Sequence, residues 1–403
     1  MQDTHHRLID LLLAGGGLHE VAAELTRMVG RSVQIVSGAG MRLAGEVSSE
    51  GQDRLPDALR RVARNENPAA SLIRDNGVAL IPLVIQNEIE GWLVVEATEA
   101  DDAAIAVLAQ GATVTSLALI KHRAVQEAEQ RFRRDLFEDM LASERWSAGR
   151  LTEQANSLGW QLDSIPIVIL IDFGGARRIA LAGRASDLSR RQWIREKFAE
   201  AARRAVSNHA PAGIVVERDA GLVILPNLSG KAPAEAHEHI QQIVEALERE
   251  MRASGLAVGY ATAIGGHHHS GLDGLRQSYH EAQQALEIGL RLLMRRPIWF
   301  DDVQLYILLE SFIRGDEARG WFSHTLGPLI EYDRRNRTQM VETMEAYFDA
   351  NQSLQQAAHV LHVHANTLKY RLQRIRQVLK QDPFVGERQL AFYLAAKVAR
   401  LLR

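Results

Sequence analysis

Between Leu354 and Leu379 two apolar stripes at helical spacing are separated by only three residues. The first stripe is Leu354, Ala357, Ala358 and Leu361, at i, i+3, i+4 and i+7. The second is Leu368, Leu372, Ile375 and Leu379, again on one helical face. The break between them, His362-Val363-His364, has room for a tight turn and nothing more. Two short helices joined this way must pack their stripes together, and the paired alanines permit close approach. Ser353 followed three residues later by Gln356 makes a capping-box pattern that starts the first helix.

The outer face of the second helix carries Asn366, Lys369, Tyr370 and Gln373, with Arg371, Arg374 and Arg376 on its flanks. No Asp or Glu occurs from Leu354 to Lys380, although the whole chain has a net charge of -3. Basic charge is therefore concentrated near the C-terminus. The pattern reads as a helix-turn-helix at 353–379, with the helix that starts near Ala365 in a major groove. The residues expected to reach base edges are His364, Asn366, Lys369 and Tyr370. Thr367, Arg371 and Arg374 are expected to hold phosphates. The alternative is a plain helical hairpin with a solvated basic face. His359, His362 and His364 straddle a helix end and a turn, and no carboxylate lies among them, so no metal site is expected. His362 is placed where a positive φ is needed, a conformation in which His is enriched.

The stretch "AAHVLHVHANTLKYRLQRI" resembles the Fis-type helix-turn-helix, and closely the version that ends the PucR-like regulators of purine catabolism and sugar diacids. "TMEAYFDANQSLQQAA" before it and "DPFVGERQLAFYLAAKVARLL" after it look like that family's flanking helices, with Asp382-Pro383 as cap and first turn. The loop after Leu379 lacks the glycine frequent in the family. The resemblance implies a metabolite-responsive regulator that binds double-stranded DNA and activates a catabolic operon.

At 403 residues the chain exceeds one ordinary core, and a multidomain α+β organisation is expected. Residues 1–100 read as helix, then strands with a hairpin at "QNE", and resemble a GAF-like sensor. In such a domain a pocket between sheet and loops can hold a small effector, with Arg42, Arg74 and Trp92 as candidate contacts. Residues 101–145 read as a long connecting helix, which either packs on its own domain or dimerises and couples the domains. Residues 146–300 read βαββαβ, with a tight hairpin at Asp219-Ala220, and predict a ferredoxin-like layout resembling a degenerate GGDEF-like domain. Glu217 and Asp219 are acidic, but the Gly-Gly-Asp/Glu-Glu-Phe signature is absent, which points to a structural or dimerising remnant. The histidines of "HHHS" read as a solvated loop with no neighbouring carboxylate. Residues 301–403 read as all helix.

The chain has no cysteine, which excludes disulfides, thiolate metal sites and a Cys nucleophile. No Walker loop, G-x-S-x-G or H-E-x-x-H occurs, so neither catalytic residues nor a cofactor is expected. No apolar run is expected to approach the roughly 18 residues of a membrane span, and no secretory signal is visible, so a cytoplasmic protein without membrane contact is expected. One helix-turn-helix buries little surface on DNA, so a homodimer or higher homo-oligomer is expected. The other readings are a cyclic-dinucleotide enzyme or receptor working through the middle domain, and a helical scaffold.

Overall fold

The structure is a computed structural model. It describes residues 2–38, 40, 42–47, 73–75, 77–86, 88–96, 102–142, 148–162, 167–173, 188–218, 221–228, 230–253, 260–266, 268, 271–294 and 297–402. The chain divides into two compact units, Met1–Arg133 and Arg134–Arg403.

The first unit holds helices α1 (Gln2–Leu13) and α2 (Leu18–Val29) and strands β1 (Val33–Ser37), β2 (Arg42–Gly45), β3 (Ile73–Asp75), β4 (Val78–Ile85) and β5 (Glu88–Glu96). Helix α3 (Asp102–Leu141) begins in this unit and ends in the second. The strands form an antiparallel sheet of order β2-β1-β5-β4-β3. Alternation along the strands gives each face its own apolar set. Ile35, Ala79, Ile81, Leu83, Leu93 and Val95 bury against Leu8, Leu25, Leu108 and Leu119 of the helices. Val36, Val78, Leu80, Trp92 and Val94 form a separate cluster on the opposite face. Gly111 lets α3 approach α2, since a Cβ there would lie 2.8 Å from a Leu25 methyl.

One sequence expectation fails in this unit. The helix over Ala103–Leu141 is long and apolar enough to cross a membrane by length and composition. Residues 103–120 carry no charge at all; Gln110, Gly111, Thr113, Thr115 and Ser116 interrupt the run to the eye but not in the average. Its apolar side is the inner wall of this unit's core: Leu108, Val114, Ala118 and Leu119 are buried against the sheet and helices.

The second unit continues with α4 (Ala148–Ser157), β6 (Ile169–Asp172), α5 (Leu188–His209), β7 (Ile214–Arg218), β8 (Gly221–Leu225), α6 (Pro233–Ala253), β9 (Ala261–Ile264), α7 (Leu272–Arg291) and β10 (Ile298–Trp299). The sheet runs β10-β9-β6-β8-β7. Its three inner pairings, β9 to β6 to β8 to β7, are antiparallel, as the βαββαβ order predicts, and β10 adds parallel to β9. Ile169, Ile171 and Ile224 pack on Phe198, Ala202, Ile240 and Leu247 of α5 and α6. The other face packs Val168, Val216 and Val223 on α7 and on Phe137 and Met140 at the end of α3. Asp219-Ala220 lies outside the described residues; Arg218 and Gly221 on either side are register partners.

The solvated-loop reading of "HHHS" is corrected at His268. Its Nε2 sits 2.7 Å from Glu281 Oε2, and the same carboxylate accepts the Gly266 N–H at 2.9 Å. A carboxylate remote in sequence is brought beside the loop by α7. His267 and His269 lie outside the described residues.

Helices α8 (Phe300–Ile313), α9 (Asp316–Asn336), α10 (Met340–Asp349), α11 (Leu354–Val360), α12 (Ala365–Leu379) and α13 (Gly386–Leu401) complete the unit. Asp382-Pro383 is not the cap of the last helix: α13 starts at Gly386 with Val385 as N-cap. Asp382 instead accepts the Phe384 N–H at 3.0 Å and pairs with Arg376 at 2.9 Å, closing the turn that leaves α12.

Candidate nucleic-acid interface

Ser353 caps α11, its Oγ accepting the Gln356 N–H at 3.4 Å. Ala357 and Ala358 are buried and Leu361 is half-buried, whereas Leu354, at the exposed first turn, is 37% exposed. His362 adopts φ 53°, the left-handed conformation expected for it. The Val363 N–H closes the turn on the Ala358 carbonyl at 3.0 Å.

Helix α12 then starts on a side-chain cap that the sequence pattern did not suggest. His364 is the N-cap, and its Nδ1 accepts the Asn366 N–H at 3.2 Å. An accepting Nδ1 places the neutral ring's proton on Nε2. From here the helix separates its residues cleanly. Leu368, Leu372, Ile375 and Leu379 are buried, each worth roughly 1.5–3 kcal/mol of burial. Asn366, Thr367, Lys369, Tyr370 and Gln373 are exposed, Tyr370 by 67%. The buried row packs on Met344 and Phe348 of α10, Ala357 and Ala358 of α11, and Leu326 and Leu329 of α9. The helix ends at Lys380, which takes φ 53° and so fills the left-handed position for which the sequence offers no glycine.

The arginines are held more closely than a free basic face would hold them. Arg371 is half-buried and donates to Thr343 Oγ1 at 3.3 Å. Arg374 donates from Nε to the Tyr332 hydroxyl at 2.9 Å and from Nη1 to Gln377 at 3.0 Å. The bond to Tyr332 moves the Arg374 guanidinium further above its ordinary value. Arg376 lies over the Phe384 ring at 5.0 Å while it pairs with Asp382. These contacts fix the helix in place and leave its basic charge at the surface. Behind them, Lys397 is 6% exposed and donates to Glu345 at 3.0 Å and Asp349 at 2.8 Å. Burial alone would lower its pKa, but the Asp349 hydrogen bond and the Glu345 charge outweigh it and raise the ammonium above the usual lysine range.

Residues 340–398 match the PucR C-terminal helix-turn-helix domain, and residues 143–288 match the GGDEF-like domain. The chain is PucR-like. The DNA-binding transcriptional activator AdeR of Bacillus subtilis is 25% identical over 166 residues, 41% of the PucR-like chain and 39% of AdeR. The carbohydrate diacid regulator of Escherichia coli is 24% identical over 271 residues, 67% of this chain and 66% of that one. The chain thus spans about two fifths of the first relative's length and about two thirds of the second's. A solved structure, the regulator of polyketide synthase expression from Bifidobacterium adolescentis, is 19% identical with a TM-score of 0.29, covering 68% of this chain and 99% of its own.

In the PucR-like chain's middle domain, the described charged residues flanking the β7–β8 turn are held in ion pairs. Glu217 is paired with Arg203. Arg218 pairs with Glu138 of α3 at 2.7 Å and lies 5.5 Å from the Tyr279 ring centroid, to whose hydroxyl it also donates. Of the effector candidates, Trp92 is buried in the second-face cluster of the N-terminal sheet. Arg42 is exposed, pairs with Glu46 at 3.6 Å, and shares with Trp92 the register partner Val36. Arg74 is in register with Ala79, a residue of the helix-covered face, and its side chain lies outside the described residues.

Proposed function

We propose that this protein is a metabolite-responsive, DNA-binding transcriptional regulator, an activator of a catabolic operon that works in the cytoplasm as a homodimer or larger assembly. The observation that carries this reading is the division of α12. One side is sealed against three neighbouring helices, and the opposite side presents Asn366, Lys369 and Tyr370 directly after an N-cap, in a stretch free of acidic residues. Such a helix fits a major groove, with Asn366 suited to an adenine edge, Lys369 to guanine and Tyr370 to a thymine methyl. His364 stands at the helix entry beside them, and Thr367, Arg371 and Arg374 flank the row as phosphate contacts.

The chain is read in four segments: a GAF-like sensor at 1–100, a coupling helix at 101–145, a GGDEF-like domain at 146–300 and a helical DNA-binding region at 301–403. The middle domain works by contact rather than catalysis, which is supported by the ion pairs that occupy Glu217 and Arg218. A small effector bound on the sheet face that carries Arg42 and Trp92 would bias the assembly, with Arg74 in register on the other face. The test is binding of the full chain to duplexes from its own upstream region over a series of salt concentrations. Salt-dependent, sequence-selective binding is expected, and its absence would leave a helical scaffold as the better reading.

A further inference from the structure

Inside the second unit, a cavity of about 580 Å³ lies where α8 faces α13, beside the end of α7. Asp302, Leu305 and Tyr306 line it from α8, at i, i+3 and i+4. Tyr393, Lys397 and Arg400 line it from α13, at i, i+4 and i+7. Leu292 and Met294, just past α7, add apolar wall. An apolar hollow of this size with a few converging polar groups is the usual form of a small-molecule site.

The polar groups here are donors with capacity left over. Lys397 Nζ donates to Glu345 and Asp349, and an ammonium has a third N–H. Arg400 gives one N–H to Glu345 at 3.4 Å out of a fork of five. Tyr306 is only 7% exposed, and its hydroxyl has no hydrogen bond among the described residues. Lys397, Arg400, Glu345 and Asp349 are neutral as a group but polarised. Both cations line the cavity, whereas both carboxylates line a separate groove beside α11. Asp302 is engaged in a polar interaction of its own.

We propose that this cavity binds a monocarboxylate with an apolar body, its carboxylate taking the Arg400 fork, the Tyr306 hydroxyl and the third Lys397 N–H. A guanidinium meets a carboxylate in two parallel hydrogen bonds. Leu292, Met294 and Leu305 receive the hydrocarbon, and the methionine side chain adapts to its shape. Glu345 and Asp349, directly behind the cations, disfavour a dianion, which sets this ligand apart from phosphate. Binding here requires neither the N-terminal effector surface nor the regulator reading.

The test is equilibrium dialysis of the full chain against 2-naphthoate, its uncharged amide 2-naphthamide, acetate and inorganic phosphate. 2-Naphthoate should bind, and the other three should bind more weakly by about tenfold or more. Tyr306→Phe should lower 2-naphthoate affinity about tenfold and leave the melting temperature of the ligand-free chain unchanged, because the hydroxyl has no protein partner to lose. Arg400→Met should abolish binding; should that variant fail to fold, Tyr306→Phe decides alone. No binding of 2-naphthoate by the wild type, equal binding of any of the three other probes, or wild-type affinity in Tyr306→Phe would each overturn the proposal.

Discussion

Arg374 lies across the ring of Tyr332, with its guanidinium carbon 5.1 Å from the ring centroid and its Nε–H donated to the phenol oxygen at 2.9 Å. This pair ties α12 to α9, 42 residues earlier in the chain. The arginine is therefore held in one orientation before any phosphate arrives, which lowers the entropy lost on contact.

Two variants separate the structural part of that residue from the electrostatic part. Tyr332→Phe keeps the ring and removes the acceptor, so stability should fall by about 1 kcal/mol while sequence preference is unchanged. Arg374→Ala should weaken every duplex alike and reduce the slope of log affinity against log salt by about one. Chemical denaturation and salt-series anisotropy read the two effects. An Arg374→Ala defect confined to one sequence would mean that it reads a base edge.

Asn366 and Lys369 should behave in the opposite way. Each projects from the first turns of α12 with no protein contact to hold it elsewhere. Truncation to Ala should cost about 1–3 kcal/mol on the preferred duplex and little on a scrambled one, with the salt slope unchanged for Asn366→Ala. Competition between the two duplexes measures it. Equal losses on both would remove Asn366 from base recognition.

The division of α12 was legible because a buried helical face leaves a periodic trace: Leu368, Leu372, Ile375 and Leu379 recur at three- and four-residue steps. The order of the βαββαβ strands was legible for the same reason, through runs such as "GLVIL" between helical segments. What escaped is whatever depends on partners remote in sequence. His268 meets Glu281 and Lys397 meets Glu345 only because helices fold back on one another. Strand β3, three residues long, leaves too short a trace to alternate. Residues 103–120 misled because small polar residues break an apolar run to the eye without adding charge. Gln34 sits in a strand where a polar residue ordinarily marks the wet face, and the structure shows that face buried.

His362 at φ 53° carries a backbone strain that glycine would relieve. His362→Gly should stabilise the C-terminal helices by up to about 1 kcal/mol, and His362→Val should destabilise them by at least as much, since a β-branched residue tolerates this conformation least. DNA affinity should be unchanged in the glycine variant, because the turn geometry is the same. A less stable glycine variant would show that the imidazole itself contributes a contact.

Lys397 makes the stability of the C-terminal helices depend on pH at the alkaline end. The folded chain holds its proton more tightly than the unfolded chain, where lysine titrates near its ordinary value of 10.5. A raised folded-state pKa contributes stability that is complete below the unfolded value and is lost as pH climbs through the folded one. Lys397→Met keeps the apolar stem but leaves Glu345 and Asp349 without their shared cation, at a cost of about 3 kcal/mol near neutrality; the neighbouring Arg400, 3.4 Å from Glu345, keeps the loss at the low end for a buried pair. Urea unfolding of wild type and variant at about pH 7, 9 and 11 should show a constant gap at the first two and a narrower one at the last. A gap that widens with rising pH would mean that the ammonium destabilises the fold, and the buried ion network would then have to be held together by Arg400 instead.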